Sequence, residues 1–265
     1  MLTPLAGVIG FPVGHSRSPA MMNAAFAALG LDWRYMKLPL PPDRFDSAVR
    51  GLPGSGYRGA NVTLPHKLAA RDLADELSDA AAAIGAVNTL TFADDGRIAG
   101  DNTDAAGLLD ALGDARPATA LVLGAGGAAR AAAWALASAG ARVTVWNRTG
   151  ERAEALASDL GVECAERPAE AELLVNATSV GLRADDSLAG LPLVDARVVV
   201  DLVYGDAPTP IARWGEERGA RVVGGLEVLV RQGARSLALW TGMDPPLDAM
   251  RGAVVQPTSS TSAQV

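Results

Sequence analysis

The chain has 265 residues, 49% hydrophobic and 20% charged, an ordinary composition for a globular protein of one large or two medium domains. Its formal net charge of −7 offers no basic footprint for a nucleic-acid backbone, and no apolar run reaches the roughly 18 residues of a membrane span. One cysteine (Cys164) precludes an internal disulfide, and with only His15 and His66 beside it no zinc site is expected. The N-terminus has no basic stretch ahead of an apolar one, so a cytoplasmic location is expected.

In chain order, "LAGVIG" (5–10) and "WRYMKLPL" (33–40) predict strands around a helix over "SPAMMNAAFAALG" (18–30), with Ser18 as its N-cap. "YRGANVTL" (57–64) predicts a third strand, and Pro65 suits the first turn of a helix that follows. "NTLTFADDGRIAGD" (88–101) predicts a hairpin turning at Asp95-Gly96, and "NTDAAGLLDALG" (102–113) opens a helix with Asp104 in its first turn. From residue 118 the pattern changes. "TALVLG" (119–124), "ARVTVWN" (141–147), "AELLVNATSVG" (171–181) and "DARVVVDLVYG" (195–205) are near-continuous apolar strands, separated by helical segments such as 150–161. Such runs predict parallel strands buried on both faces, a doubly wound α/β domain. "ARVVGGLEVLVRQGARSLALWTG" (220–242) adds a last strand and a long amphipathic helix, and 254–265 reads as a polar, flexible tail.

Chemistry enters at "LVLGAGGAARAA" (121–132), where Gly124-x-Gly126-x-x-Ala129 follows a strand and opens a helix. Gly124, Ala125, Gly126, Gly127 and Ala128 would form a tight turn that brings backbone N–H groups to a pyrophosphate. At the end of the next strand an NAD-selective chain usually has an acidic residue for the ribose. Here that place holds Asn147, followed by Arg148, Thr149 and Arg152, which suit the 2′-phosphate of NADP.

Reduction of a ketone also needs a proton donor. No Tyr-x-x-x-Lys pair exists: four residues after Tyr35, Tyr57 and Tyr204 stand Pro39, Asn61 and Pro208. With zinc unexpected as well, the donor is expected from the first unit, facing the cofactor across a cleft. "ANVTLPHKL" (60–68) places Lys67 near a helix start, where the macrodipole disfavours a cation. Its neighbours at helical spacing, Thr63, Leu64, Ala70 and Arg71, include no anion, so any partner lies elsewhere in the fold. His15 and His66 are read as packing or hydrogen-bonding residues.

These stretches carry a resemblance. "GFPVGHSRSP" (10–19), "NVTLPHK" (61–67), "GAVNTL" (85–90), "GDNTDAAG" (100–107), "GAGGAARA" (124–131), "NRT" (147–149), "NATSVG" (176–181) and "GLEVLVRQGA" (225–234) occur in the order of the shikimate dehydrogenase family. The chain resembles that family, which includes quinate/shikimate dehydrogenases, from about residue 5 to 240. The resemblance implies an N-terminal α/β substrate domain and a Rossmann-type nucleotide domain with a cleft between them. It implies interconversion of 3-dehydroshikimate and shikimate with NADP, in aromatic amino-acid biosynthesis.

Residue by residue, the resemblance assigns Lys67 and Asp104 as the catalytic pair. Ser16 and Ser18 would take the substrate carboxylate, and Thr63, Asn88 and Gln232 the ring hydroxyls, with Tyr204 a further contact. Thr178 and Gly225 fall in the motifs that complete the cofactor site. Asn88 as a strand-end cap and Asp104 as a helix N-terminal acid remain open as structural readings. "YGDAPTPIARW" (204–214) departs from the family's usual Tyr-Asn/Lys-Pro before Thr-Pro-Leu, which bears on Tyr204. The expected units are 1–102 completed by a helix at about 228–253, and 103–227 for NADP, in a monomer or homodimer. A quinate/shikimate dehydrogenase using NAD is the nearest alternative; a noncatalytic NADP-sensing regulator is one of another class.

Overall fold

The computed structural model describes residues 3–168, 170–183 and 185–255. The first part runs β1 (Leu5–Gly10), α1 (Ser18–Ala28), β2 (Arg34–Pro39), α2 (Phe45–Gly51), β3 (Tyr57–Val62), α3 (Lys67–Leu73), β4 (Glu76–Leu77), α4 (Asp79–Ile84), β5 (Thr89–Phe92), β6 (Ile98–Asp101) and α5 (Thr103–Leu112). Its six strands form one mixed sheet, ordered β2-β1-β3-β5-β6-β4, with the expected antiparallel β5–β6 hairpin.

The second part runs β7 (Thr119–Leu123), α6 (Gly127–Ser138), β8 (Arg142–Trp146), α7 (Gly150–Leu160), β9 (Glu163–Cys164), β10 (Leu173–Asn176), β11 (Val198–Asp201), α8 (Pro210–Glu217) and β12 (Arg221–Gly224). These strands form a second sheet ordered β12-β11-β10-β7-β8-β9, and every pairing in it is parallel. Counted from β7, that is the 3-2-1-4-5-6 order of doubly wound dinucleotide folds, whose ligand crevice lies where the strand order reverses. Burial follows the sequence pattern: Leu121, Val122, Leu123, Leu173, Leu174, Val175, Val199 and Val200 are fully covered.

Two last helices, α9 (Gly225–Thr241) and α10 (Leu247–Val255), return to the first sheet. Val230, Ala234 and Leu237 of α9 and Met250 and Val254 of α10 share one core with Met21, Met22 and Phe26 of α1. The approach of α9 to α5 is close enough to need glycine at 107, where a Cβ would lie 2.7 Å from the Gln232 nitrogen.

Glu227 ties the two last helices together. It accepts from Arg251 Nε and Nη2, both at 2.9 Å, and from Arg231 Nε at 2.7 Å. The Arg251 guanidinium, helped by Arg231, holds the Glu227 carboxyl below its ordinary range against the opposing effect of burial. A depressed carboxylate pKa adds stability above the unfolded-state value and loses it as pH falls through the folded one. Glu227→Gln is therefore expected to cost about 1 kcal/mol at neutral pH. The difference from the parent should shrink toward zero only in stronger acid, as pH falls below the ordinary Glu range and through the depressed folded-state value, where the parent carboxylate is protonated too. Urea unfolding of both proteins at neutral pH and in such acid checks this; a gap that persists in acid would refute it.

Three local expectations are corrected. Ser18 is the first residue of α1, and Arg17 occupies the cap position without a side-chain cap bond; the Ser16 hydroxyl instead accepts from the Ser18 N–H at 3.3 Å. Pro65 lies outside α3, which begins at Lys67 with His66 before it. Val254 and Val255 belong to α10 rather than to a flexible tail, because Val254 is buried against α1; residues 256–265 of that expected tail lie outside the described residues.

Candidate active site

The glycine turn follows β7, beside the reversal point. Gly124 has φ +116°, a region that favours glycine, and a Cβ there would lie 2.7 Å from the Ala177 carbonyl oxygen. Helix α6 starts at Gly127 behind Gly126, and no side chain caps its first N–H groups. A turn without side chains before an uncapped helix start fits a pyrophosphate. Across the crevice, Thr178 is held by Asn176, whose Oδ1 accepts from its hydroxyl at 2.7 Å and its N–H at 3.1 Å. Gly225 packs against the Val203 carbonyl oxygen, where a Cβ would come within 2.7 Å.

At the end of β8, Asn147 Nδ2 donates to the Thr149 carbonyl at 2.9 Å and shapes the start of α7. Arg148 and Arg152 are both exposed, and neither has an ion pair or side-chain hydrogen bond among the described residues. Two uncommitted guanidiniums beside Asn147 fit a phosphate at that strand end.

The other wall comes from the first sheet. Lys67, the first residue of α3, donates from Nζ to Asp104 Oδ2 at 2.5 Å, and the two side chains are only 12% and 19% exposed. Asp104 sits in the first turn of α5, whose cap is Asn102. Its other oxygen, Oδ1, accepts from Asn88 Nδ2 at 2.8 Å, and Asn88 Oδ1 accepts from the Thr103 N–H at 2.7 Å. Asn88 thus fixes both the helix start and the carboxylate on it. The Lys67 stem lies on the dinucleotide turn: a Cβ at Gly127 would fall 2.9 Å from Lys67 Cβ and Cδ. Glycine at 127 is what lets the amine from one sheet reach the crevice of the other.

One cavity of about 300 Å³ joins these walls. It is lined by all eight residues expected to be catalytic or to touch substrate: Lys67, Asp104, Ser16, Ser18, Thr63, Asn88, Gln232 and Tyr204. Of the residues expected to hold the cofactor, Gly126, Gly127, Ala128, Thr178 and Gly225 line it too. Gly124, Ala125, Asn147, Arg148, Thr149 and Arg152 lie outside the lining, in the turn after β7 and around the end of β8. Burial pushes the Tyr204 phenol above its ordinary pKa, opposed by contact with the Ser16 side chain and the Arg17 backbone.

His66 is buried, bonded through Nε2 to the Leu40 carbonyl at 2.7 Å and stacked on Phe45. His15, expected to be a packing or hydrogen-bonding residue, is exposed and lines the cavity instead of packing in the core. Asn61 also lines the cavity and was missed; it accepts from the Tyr35 hydroxyl at 2.8 Å and donates to Ser236 Oγ at 2.8 Å. A polar residue inside the buried strand "YRGANV" was the available signal.

A reversed parallel sheet with a bare glycine turn, faced across one cavity by a buried Lys–Asp pair, is the construction of the two-domain dinucleotide-dependent dehydrogenases. Family models match in three stretches: "Shikimate dehydrogenase substrate binding domain" at residues 8–90, "Shikimate / quinate 5-dehydrogenase" at 108–180 and "Shikimate 5′-dehydrogenase C-terminal domain" at 225–255. The NADP(+) shikimate dehydrogenase of Methanothermobacter thermautotrophicus is 44% identical, covering 95% of this chain and 96% of the relative. That of Anaeromyxobacter dehalogenans is 48% identical, covering 92% and 93%. Shikimate 5-dehydrogenase from Thermus thermophilus, solved in complex with NADP(H) and shikimate, superposes with a TM-score of 0.88 at 43% identity, covering 95% of this chain and 98% of that one. The chain belongs to the shikimate dehydrogenase family.

Proposed function

We propose that this chain is a cytoplasmic NADP-dependent shikimate dehydrogenase that reversibly reduces 3-dehydroshikimate to shikimate, as a monomer or homodimer. The observation that carries the reading is the single cavity in which Lys67, paired with Asp104, abuts the glycine turn at Gly127. Residues 1–102 with the helix at about 228–253 act as the substrate unit, and 103–227 as the nucleotide unit.

When bound, the reduced nicotinamide supplies a hydride to the ketone carbon. Lys67 Nζ gives the proton that turns the resulting C3 alkoxide into a hydroxyl, and takes it back in the reverse direction. Asp104 orients the amine, and Asn88 keeps the carboxylate aimed at it. Ser16 and Ser18, at the start of α1, receive the substrate carboxylate; Thr63, Asn88, Gln232 and Tyr204 orient the ring. The turn from Gly124 to Ala128 takes the pyrophosphate, and Asn147, Arg148, Thr149 and Arg152 the ribose phosphate. Thr178 and Gly225 would complete the cofactor site from across the crevice.

The purified protein incubated with shikimate or quinate, each with NADP and with NAD, is expected to form reduced cofactor fastest with shikimate and NADP. Preference for quinate with NAD would replace this reading with the alternative dehydrogenase. NADP binding without turnover of either acid would leave a sensor.

A further inference from the structure

We propose that Arg17 is a positioning residue that latches the loop after β11 across the cleft and so holds Tyr204 over the Ser16–Ser18 corner of the cavity. The kinetic half of this proposal rests on the function proposed above, and the structural half does not.

Ser16 and Ser18 line the cavity, but Arg17 between them does not. Its side chain runs away from the cavity and is only 8% exposed. A guanidinium removed from water needs partners for its donors, and these come from two distant pieces of chain. Nη1 donates to the Val254 carbonyl at 2.5 Å. Nη2 donates to the Gly205 carbonyl at 3.1 Å and to Asp206 Oδ1 at 2.5 Å.

The two pieces belong to different halves of the molecule. Val254 is buried beside Met21, Met22 and Phe26 of α1, so the Nη1 contact stays within the half that carries Arg17. Gly205 and Asp206 follow β11 of the second sheet, so the Nη2 contacts span the cleft. The base of their loop is wedged, since Gly225 leaves no room for a Cβ against the Leu202 and Val203 carbonyls. Beyond that wedge, Gly205 and Asp206 are exposed, and Arg17 supplies side-chain hydrogen bonds to both. Tyr204, the residue before Gly205, lines the same cavity as Ser16 and Ser18, so one loop carries both the latch contacts and a phenol in the cavity. Loosening the Arg17 contacts therefore loosens the loop that carries Tyr204.

The chemistry of the pair suits a latch rather than a rivet. Asp206 is the one carboxylate in salt-bridge range of Arg17 among the described residues, and its side chain is 87% exposed. An ion pair with one partner in water is weak and salt-screened, so it can break in each cycle of product release.

Asp206→Ala and Arg17→Met, each in the full-length protein, test the idea by hydrogen exchange and by kinetics. Amides of residues 204–207 are expected to exchange about two- to fivefold faster in Asp206→Ala, and about tenfold faster in Arg17→Met, with strands β7 to β11 unchanged. The shikimate KM should rise about tenfold in Arg17→Met while kcat and the NADP KM move less, and Arg17→Lys should recover part of the loss. Combined with Tyr204→Phe, Arg17→Met should show less than the sum of the separate effects on kcat/KM. A lowered melting temperature with unchanged exchange and KM would mean a merely structural arginine and overturn the proposal. Should Arg17→Met fail to fold, Asp206→Ala decides alone: unaltered exchange at 204–207 overturns it. A parent protein without shikimate turnover would sink the functional reading, and the exchange result would still judge the latch.

Discussion

Replacing Lys67 by Ala is expected to lower kcat for shikimate oxidation by about 10²–10⁴, the usual contribution of a positioned acid–base group. That range is about 2.7–5.4 kcal/mol of transition-state stabilisation at 1.36 kcal/mol per tenfold. The expectation rests on position. The amine is held at 2.5 Å from Asp104 Oδ2, the carboxylate is fixed from behind by Asn88, and the stem lies against Gly127 at the mouth of the dinucleotide turn. No other lysine lines the cavity, so none can take over the proton. Shikimate affinity should change less than turnover, since all six residues expected to hold the substrate remain. Steady-state kinetics with a separate equilibrium binding measurement decide the matter. Turnover within a factor of a few of the parent would remove Lys67 from the chemistry; equal losses in binding and turnover would make it a binding residue only. Asp104→Asn offers a control, because it keeps the acceptor for Asn88 or for Lys67 while removing the charge.

The second large effect concerns cofactor choice. Arg148→Ala is expected to raise the KM for NADP about tenfold, and Arg148→Ala with Arg152→Ala about a hundredfold, with the KM for NAD nearly unchanged in both. Each guanidinium–phosphate hydrogen bond is worth about 1.5–3 kcal/mol, against roughly 1.4 kcal/mol per tenfold. Both arginines stand exposed and without partners among the described residues, so their removal disrupts nothing else in the fold. Equal losses for NADP and NAD would show that they grip a part common to the two cofactors. The same assays at rising ionic strength should weaken NADP binding in the parent and far less in the double variant.

Much of the molecule was legible along the chain. The second sheet announced itself through apolar runs of four or five residues, and "LVLGAGG" marked both the end of β7 and the start of α6. These signals are local: strand burial on both faces, a turn that only glycine tolerates, a helix start without a cap. Local signals failed where two elements compete for one residue. Ser18 before a proline has the chemistry of an N-cap, but it is the first helical residue, and its buried N–H donates to Ser16 Oγ behind an Arg17 cap position. Val254 belongs to a polar-looking C-terminal stretch, yet the groove on α1 buries it and extends α10. Nothing local distinguishes His15 from a packing or hydrogen-bonding residue, and only the fold puts it on the cavity wall.

Residue types and their order along the chain set the class of chemistry: a dinucleotide turn, arginines in place of an acidic residue after the second strand, no metal set, and a lysine whose helical neighbours hold no anion. They could not say what that lysine meets. Asp104 lies 37 residues away, and only the pairing of β3 with β5 and β5 with β6 brings the starts of α3 and α5 side by side. Gln232 and Asp206 come from still further along, carried in by the return of α9 and by the loop after β11. Local spacing encodes propensity, which acts over a few positions. A binding cavity is built from contacts between distant segments, and the packing of the two sheets decides which side chains face one another.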